Sequence, residues 1–154
     1  MRWNQGRSDV DAMIAAGEIE RVQPDRAAAD RLLDEARNHL RSSAAIADFD
    51  AAGAYTLVYD AARKALAAVL ENQGLRATRS GGHIAVYNAV RAQLDPPIGS
   101  TIVPFDRMRR RRNAVEYSAA TQPAVVVEEI GEDLVKAEAI VDAAAAVLDQ
   151  MSPF

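Results

Sequence analysis

Apolar residues recur along this chain in three- and four-residue steps, and Asp, Gly and Pro interrupt them at intervals that predict a series of helices. Ala28, Ala29, Leu32, Leu33, Ala36, Leu40, Ala44 and Ile46 form one stripe, which predicts a helix capped by Asp25 and running to about 47. Asp48–Asp50 breaks the pattern. Ala54, Leu57, Val58, Ala61, Ala62, Ala65, Leu66, Val69 and Leu70 then give a wider apolar face over 51–72, and Gly74 stands in a stop position. A helix of that length spans about 33 Å.

Shorter elements flank this pair. Ser8 or Asp9 can cap a helix over 10–16, with Gly17 as its stop and 18–24 as a connector. Residues 75–82, LRATRSGG, read as a flexible basic connection. Gly82 or His83 opens a helix to 94, with Ile84, Val86, Tyr87, Val90 and Leu94 facing inward, and Asp95-Pro96-Pro97 ends it. Residues 98–104 read as a loop, 105–119 as an arginine-rich helix and 121–123 as a turn. The last helix covers 126–150 and buries Ile130, Leu134, Ala137, Ile140, Val141, Ala144, Val147 and Leu148. The run 125–127 is strand-like but too short to carry a sheet. These elements predict an all-α fold: an up-and-down antiparallel helical bundle over 25–150, with a short extra N-terminal helix and connector over 1–24.

Composition narrows the setting. The chain has 154 residues, the size of one domain, with 49% apolar and 26% charged residues and no cysteine. Disulfides and thiolate metal sites are therefore excluded, and a reducing compartment is expected. The first residues carry no apolar signal-peptide core, and no segment has the roughly 18 continuous apolar residues of a membrane span. A cytoplasmic protein with no membrane attachment, no cofactor and no metal is the expectation. The net charge of −4 argues against a surface coated for nucleic acid, but leaves room for a local basic site.

Such a site stands out. Arg107, Arg109, Arg110, Arg111 and Arg112 are broken only by Met108. Like charges one turn apart cost a helix a few tenths of a kcal/mol per pair. The run is more readily tolerated where arginines meet anions, either internal carboxylates such as Asp60 or Glu116, or external phosphates. Solvation or pairing within the bundle is the plain account of Arg109, Arg110 and Arg111. Glu116 lies one turn beyond Arg112, and Tyr117 one turn beyond Asn113. Asp48 and Asp50 are explained by capping. Trp3 and Tyr87 are expected to be packing residues; Tyr55 and Tyr59, one turn apart, are expected in the core or at a dimer contact, with cleft lining as the alternative. His39 is expected at a partly solvated surface, and His83 at a helix start.

Arg112-Asn113 followed by Tyr117 resembles the Arg-polar-x-x-x-His signature of HEPN domains, small helical bundles of prokaryotic toxin–antitoxin and defence proteins. Residues 54–66, AYTLVYDAARKAL, resemble that family's second bundle helix, with Asp60 as its acidic residue. With Gln73-Gly74-Leu75-Arg76 and Gly81-Gly82-His83, the pattern looks closest to an actinobacterial-type subgroup of uncertain activity. The resemblance covers roughly residues 25–150. It implies a homodimer whose shared cleft is lined by the motif, and RNA cleavage without a metal. Carried over by position, Arg112 matches the phosphate-holding arginine, Asn113 its polar neighbour and Asp60 the acidic partner. Tyr117 stands where the histidine belongs. A phenol titrates near 10 against about 6.5 for imidazole, so it is a poor general base at neutral pH.

Three functions are therefore weighed. The first is a homodimeric binding or regulatory module, defence-related, that holds RNA, a nucleotide or a partner protein through Arg112, Asn113 and Tyr117, with Arg109, Glu116, Asp60 and His83 around them. The second is an active endoribonuclease toxin using Arg112 with Tyr117 or His83. The third is a structural partner with its arginines in salt bridges. The dimer is expected to use the helices 51–72 and 105–119. The resemblance also implies a nucleotidyltransferase partner, with Tyr117 as the residue it modifies.

Overall fold

The structure is a computed structural model that describes residues 3–117 and 123–154. It is an all-α helical bundle. In chain order the elements are α1 (Arg7–Ala15), β1 (Ile19–Arg21), α2 (Arg26–Ile46), α3 (Ala51–Gln73), β2 (Leu75–Ala77), α4 (Gly82–Leu94), α5 (Gly99–Ile102), α6 (Pro104–Glu116) and α7 (Val127–Val147).

Local chemistry sets the ends of the two long central helices. Asp25 accepts from the Ala28 N–H at 2.8 Å and Asp50 from the Gly53 N–H at 2.9 Å, satisfying N-terminal donors that a helix leaves free. Gly74 ends α3 with φ +81°. A Cβ there would also lie 2.7 Å from the Val22 carbonyl oxygen, so glycine is required both by backbone conformation and by space.

Helix α3 is the axis of the fold. It packs against α2, α4, α6 and α7. Ala54, Ala61, Ala62, Ala65 and Ala68 are completely buried and let neighbouring backbones approach closely, while Tyr55, Val58, Tyr59, Leu66, Val69 and Leu70 fill the remaining space. The buried Ser43 hydroxyl donates to the Ala54 carbonyl at 2.8 Å and joins α2 to α3. Gln73 and Gln93 exchange amide hydrogen bonds of 2.7 and 3.1 Å inside the core, which satisfies both side chains away from water.

Several expectations need correction. The connectors 18–24 and 75–82 are not wholly irregular, because Ile19–Arg21 and Leu75–Ala77 pair antiparallel. The first helix begins at Arg7, after Gly6 in a left-handed conformation, and neither Ser8 nor Asp9 caps it. The loop 98–104 contains α5, and Pro104 opens α6. Ile84 lies on the exposed side of α4, whereas Val86, Tyr87, Val90 and Leu94 are buried as expected, together with Ala85 and Ala89. The final helix is shorter than 126–150 and ends at Val147. Only Ala52 of α3 is exposed, while residues such as Thr56, Leu57, Asp60, Arg63 and Lys64 are partly buried. The predicted helix end at 118–119 and most of the turn 121–123 lie outside the described residues. Among the described residues no helix is long and apolar enough to cross a membrane.

Candidate functional site

The arginines of α6 face in different directions and are shared among four carboxylates. Arg107 forms a forked pair with Asp133 of α7, with one arm at 3.1 Å, and the buried Tyr55 hydroxyl donates to the same carboxylate at 2.7 Å. Asp106 receives Arg109 at 2.9 Å and Arg110 at 3.4 Å. Arg111 reaches Glu129 at 2.7 Å and the Pro123 carbonyl at 3.0 Å. Arg112 meets Glu116 at 2.7 Å, one turn along the same helix. Internal pairing thus accounts for how the run tolerates its own charge.

Arg112 differs in what lies beneath it. Its guanidinium carbon stands 5.5 Å from the centre of the Tyr59 ring, within cation–π range. Tyr59 is almost wholly buried and stacks on Phe105 with centroids 5.4 Å apart. Its hydroxyl lies 2.5 Å from Nδ1 of His83, the second residue of α4. Arg63, one turn beyond Tyr59 on α3, lies 3.5 Å from Asp60. Three helices therefore bring Arg63, His83 and Arg112 near one phenol, with both guanidinium charges acting on its hydroxyl.

The electrostatics of this cluster have a definite sense. Burial pushes the Tyr59 hydroxyl up to about 12, against the opposing pull of Arg63 and Arg112, so it keeps its proton at neutral pH. Burial lowers His83 below the ordinary imidazole value, and the charges of Arg63 and Arg112 lower it further while Asp60 opposes them. His83 is thus neutral at pH 7. The buried phenol needs an acceptor, and Nδ1 is its partner among the described residues. Tyr59 O–H therefore donates to Nδ1, which assigns the remaining ring proton to Nε2. In this tautomer His83 offers a hydrogen-bond donor at Nε2 and no free lone pair.

The two flanking arginines are only partly satisfied. Nε of Arg63 and Nε of Arg112 are buried with no hydrogen-bond partner among the described residues. An unmade bond of this kind costs about 1–3 kcal/mol. Next to the cluster lies a half-open cavity of about 370 Å³ between α3 and the β2–α4 connection, which Arg63 and His83 both line. That connection is held firmly. Thr78 and Ser80 donate to the Gly17 carbonyl, and Gly81 sits so close to the Glu18 carbonyl that a Cβ would approach it to 2.1 Å.

The residues singled out in the sequence divide into two groups. Arg112, Glu116, Asp60, Arg109 and His83 lie in or beside the cluster; the charges of Asp60, Arg109 and Arg112 all act on His83. Asp60 pairs with Arg63 rather than with Arg112. Asn113 is exposed, and Tyr117 is 75% exposed at the end of α6, so Tyr117 does not face the core. Arg63 and Phe105 were not singled out for the site, and Tyr59 only as an alternative to core or dimer packing. The four-residue step from Tyr59 to Arg63 was the available signal, but it marks a shared face without saying what lies opposite. Among the described residues no three His, Asp or Glu side chains gather as metal ligands.

The second histidine shares the electrostatic sense of the first. His39 accepts from the Lys64 ammonium at 2.8 Å and is lowered by burial and by that charge. A histidine held neutral in the fold but free to protonate when unfolded stabilises the fold above about pH 6.5 and loses that contribution as pH falls. Urea unfolding is expected to show a smaller unfolding free energy at about pH 5.5 than at about 7.5, with part of the decline missing in His83→Gln. Identical pH profiles for the two proteins would contradict the assignment. Compared with known protein families, characterised proteins and solved structures, the chain matches none.

Proposed function

We propose that this chain is a HEPN-type homodimeric module that binds RNA through its phosphates at Arg63, His83 and Arg112. The observation that carries the reading is the gathering of three donor side chains, from α3, α4 and α6, around one buried phenol, with two buried guanidinium Nε atoms that make no hydrogen bond among the described residues. Arg112 is tied to Glu116 only by an i,i+4 pair whose carboxylate is 41% exposed. Such pairs contribute about 0.3–0.5 kcal/mol, whereas a hydrogen bond to a charged group contributes about 1.5–3 kcal/mol. A phosphate oxygen therefore competes favourably for Arg112.

The tautomer of His83 supports binding over cleavage. A general base needs a free ring nitrogen facing the 2′-hydroxyl, and the Tyr59 bond places the proton on Nε2. The nearness of His83 to Arg112 is the observation that favours the nuclease reading, because it supplies an imidazole where the motif has Tyr117.

Fluorescence anisotropy with labelled RNA in EDTA separates these readings. Binding is expected to weaken steeply with salt, and Arg112→Ala or Arg63→Ala to weaken it about ten- to a hundredfold without shortening the RNA. RNA cleavage that disappears in Arg112→Ala would replace this reading with the nuclease. Absence of both binding and cleavage would leave the structural-partner role.

A further inference from the structure

We propose that the cavity beside the cluster receives one unpaired nucleotide, with its phosphate at Arg63 and His83 and its base over Ala67, Leu70, Leu75 and Val86. The inference rests on the phosphate-binding reading of the cluster and adds what the bound phosphate must be attached to. The cavity measures about 370 Å³. That lies within the range of about 300–1,000 Å³ usual for small-ligand pockets, and is far too small to admit a base-paired duplex.

Its lining has two chemical halves. Five apolar residues, Ala67 and Leu70 of α3, Leu75 and Ala77 of β2 and Val86 of α4, give a floor that a bare anion would not use. Arg63, Arg76, Arg79 and His83 supply the cationic and donor side. Glu71 is the only carboxylate in the lining, and Arg76 holds it at 2.7 Å. With that pair neutralised and Arg63 3.5 Å from Asp60, the unpaired charge of the lining belongs to Arg79. Arg79 is exposed and forms no ion pair among the described residues. An anion joined to a flat apolar body fits both halves, and Glu71 adds an acceptor for base N–H groups. A purely apolar ligand would leave the arginines unanswered, and inorganic phosphate would leave the floor unused. The ligand is thus a phosphorylated nucleoside, either free or as an unpaired position of an RNA strand.

The test is calorimetric titration of the intact chain with the four nucleoside 5′-monophosphates, inorganic phosphate, an unphosphorylated nucleoside, a single-stranded RNA decamer and its duplex. At least one monophosphate, or the single strand, is expected to bind at least about tenfold more tightly than phosphate, nucleoside or duplex. Preference for the monophosphate identifies the free form as the source, and preference for the strand identifies an unpaired RNA position. Ala67→Phe, which fills the cavity, and Arg79→Ala, a surface change that spares the core, should each weaken that ligand about tenfold or more. Where Ala67→Phe fails to fold, Arg79→Ala decides.

Ligand binding no tighter than that of inorganic phosphate, or indifferent to the variants, overturns the cavity assignment. RNA binding lost in Arg112→Ala but retained in Ala67→Phe and Arg79→Ala means that the cluster reading stands and the cavity reading falls. Monophosphate binding lost in Ala67→Phe, with RNA indifferent to Arg112→Ala, means the reverse.

Discussion

Asp133→Ala is expected to lower the unfolding free energy by about 3 kcal/mol, the upper end of the cost of leaving a buried polar group unsatisfied, here together with the loss of hydrogen bonds to a charged carboxylate. The Asp133 side chain is 2% exposed, and Tyr55 is completely buried. The carboxylate receives Tyr55 from α3 and both arms of Arg107 from α6, so one side chain of α7 ties three helices. Its removal strands the Tyr55 hydroxyl in a dry core. Arg107 suffers less, because it is 46% exposed and regains water. Tyr55→Phe is the informative control: it deletes one hydrogen bond and leaves the forked pair, at a cost of about 1.5 kcal/mol. Urea unfolding of both variants checks the difference. Equal losses would mean that Asp133 is not the common acceptor.

Phe105→Ala is the second large effect, about 3–5 kcal/mol for emptying a fully buried aromatic position. Phe105 stacks on Tyr59 at 5.4 Å and tilts against Tyr87 at 5.7 Å. The consequence reaches the site. With its backing lost, the Tyr59 ring no longer has a fixed place under Arg112, and its bond to His83 loosens. Thermal unfolding should show the stability loss. RNA affinity measured well below the midpoint should fall as well, although Phe105 touches no ligand. Phe105→Leu, which refills most of the volume, should recover most of the stability but less of the affinity. Unchanged affinity in both variants would show that Tyr59 holds the cluster without help from the core.

These predictions depend on contacts of very different legibility. The central helices could be read directly, because Asp25, Asp50 and Gly74 act within a few residues and the apolar periodicity of α2 and α3 is strong. The β1–β2 ladder could not. Each strand is three residues long, and Ile19 pairs with Ala77 across two whole helices, a register no local pattern encodes. The arginine run announced itself as a charge anomaly, but its partners did not. Asp133 is 26 residues from Arg107, and Glu129 is 18 from Arg111. Whether these residues meet depends on how α7 is rotated against α6, which tertiary packing decides. Glu116, one helical turn from Arg112, was readable because that contact is local. His83 could be singled out as a polar residue near a helix start. Its partnership with Tyr59, 24 positions away, required the packing of α4 on α3.

The alanines that line α3 also fix how this protein tolerates sequence change. A core built on large side chains is damaged mainly by truncation, which opens voids. At Ala54, Ala61, Ala62, Ala65 and Ala68 there is almost nothing to remove, while any added methylene meets a neighbouring helix at close range. Variation along this face is therefore lopsided: it can drift towards glycine at a modest cost to the helix, but is barred from growing. These five positions of the axis are thus held to small residues by their neighbours.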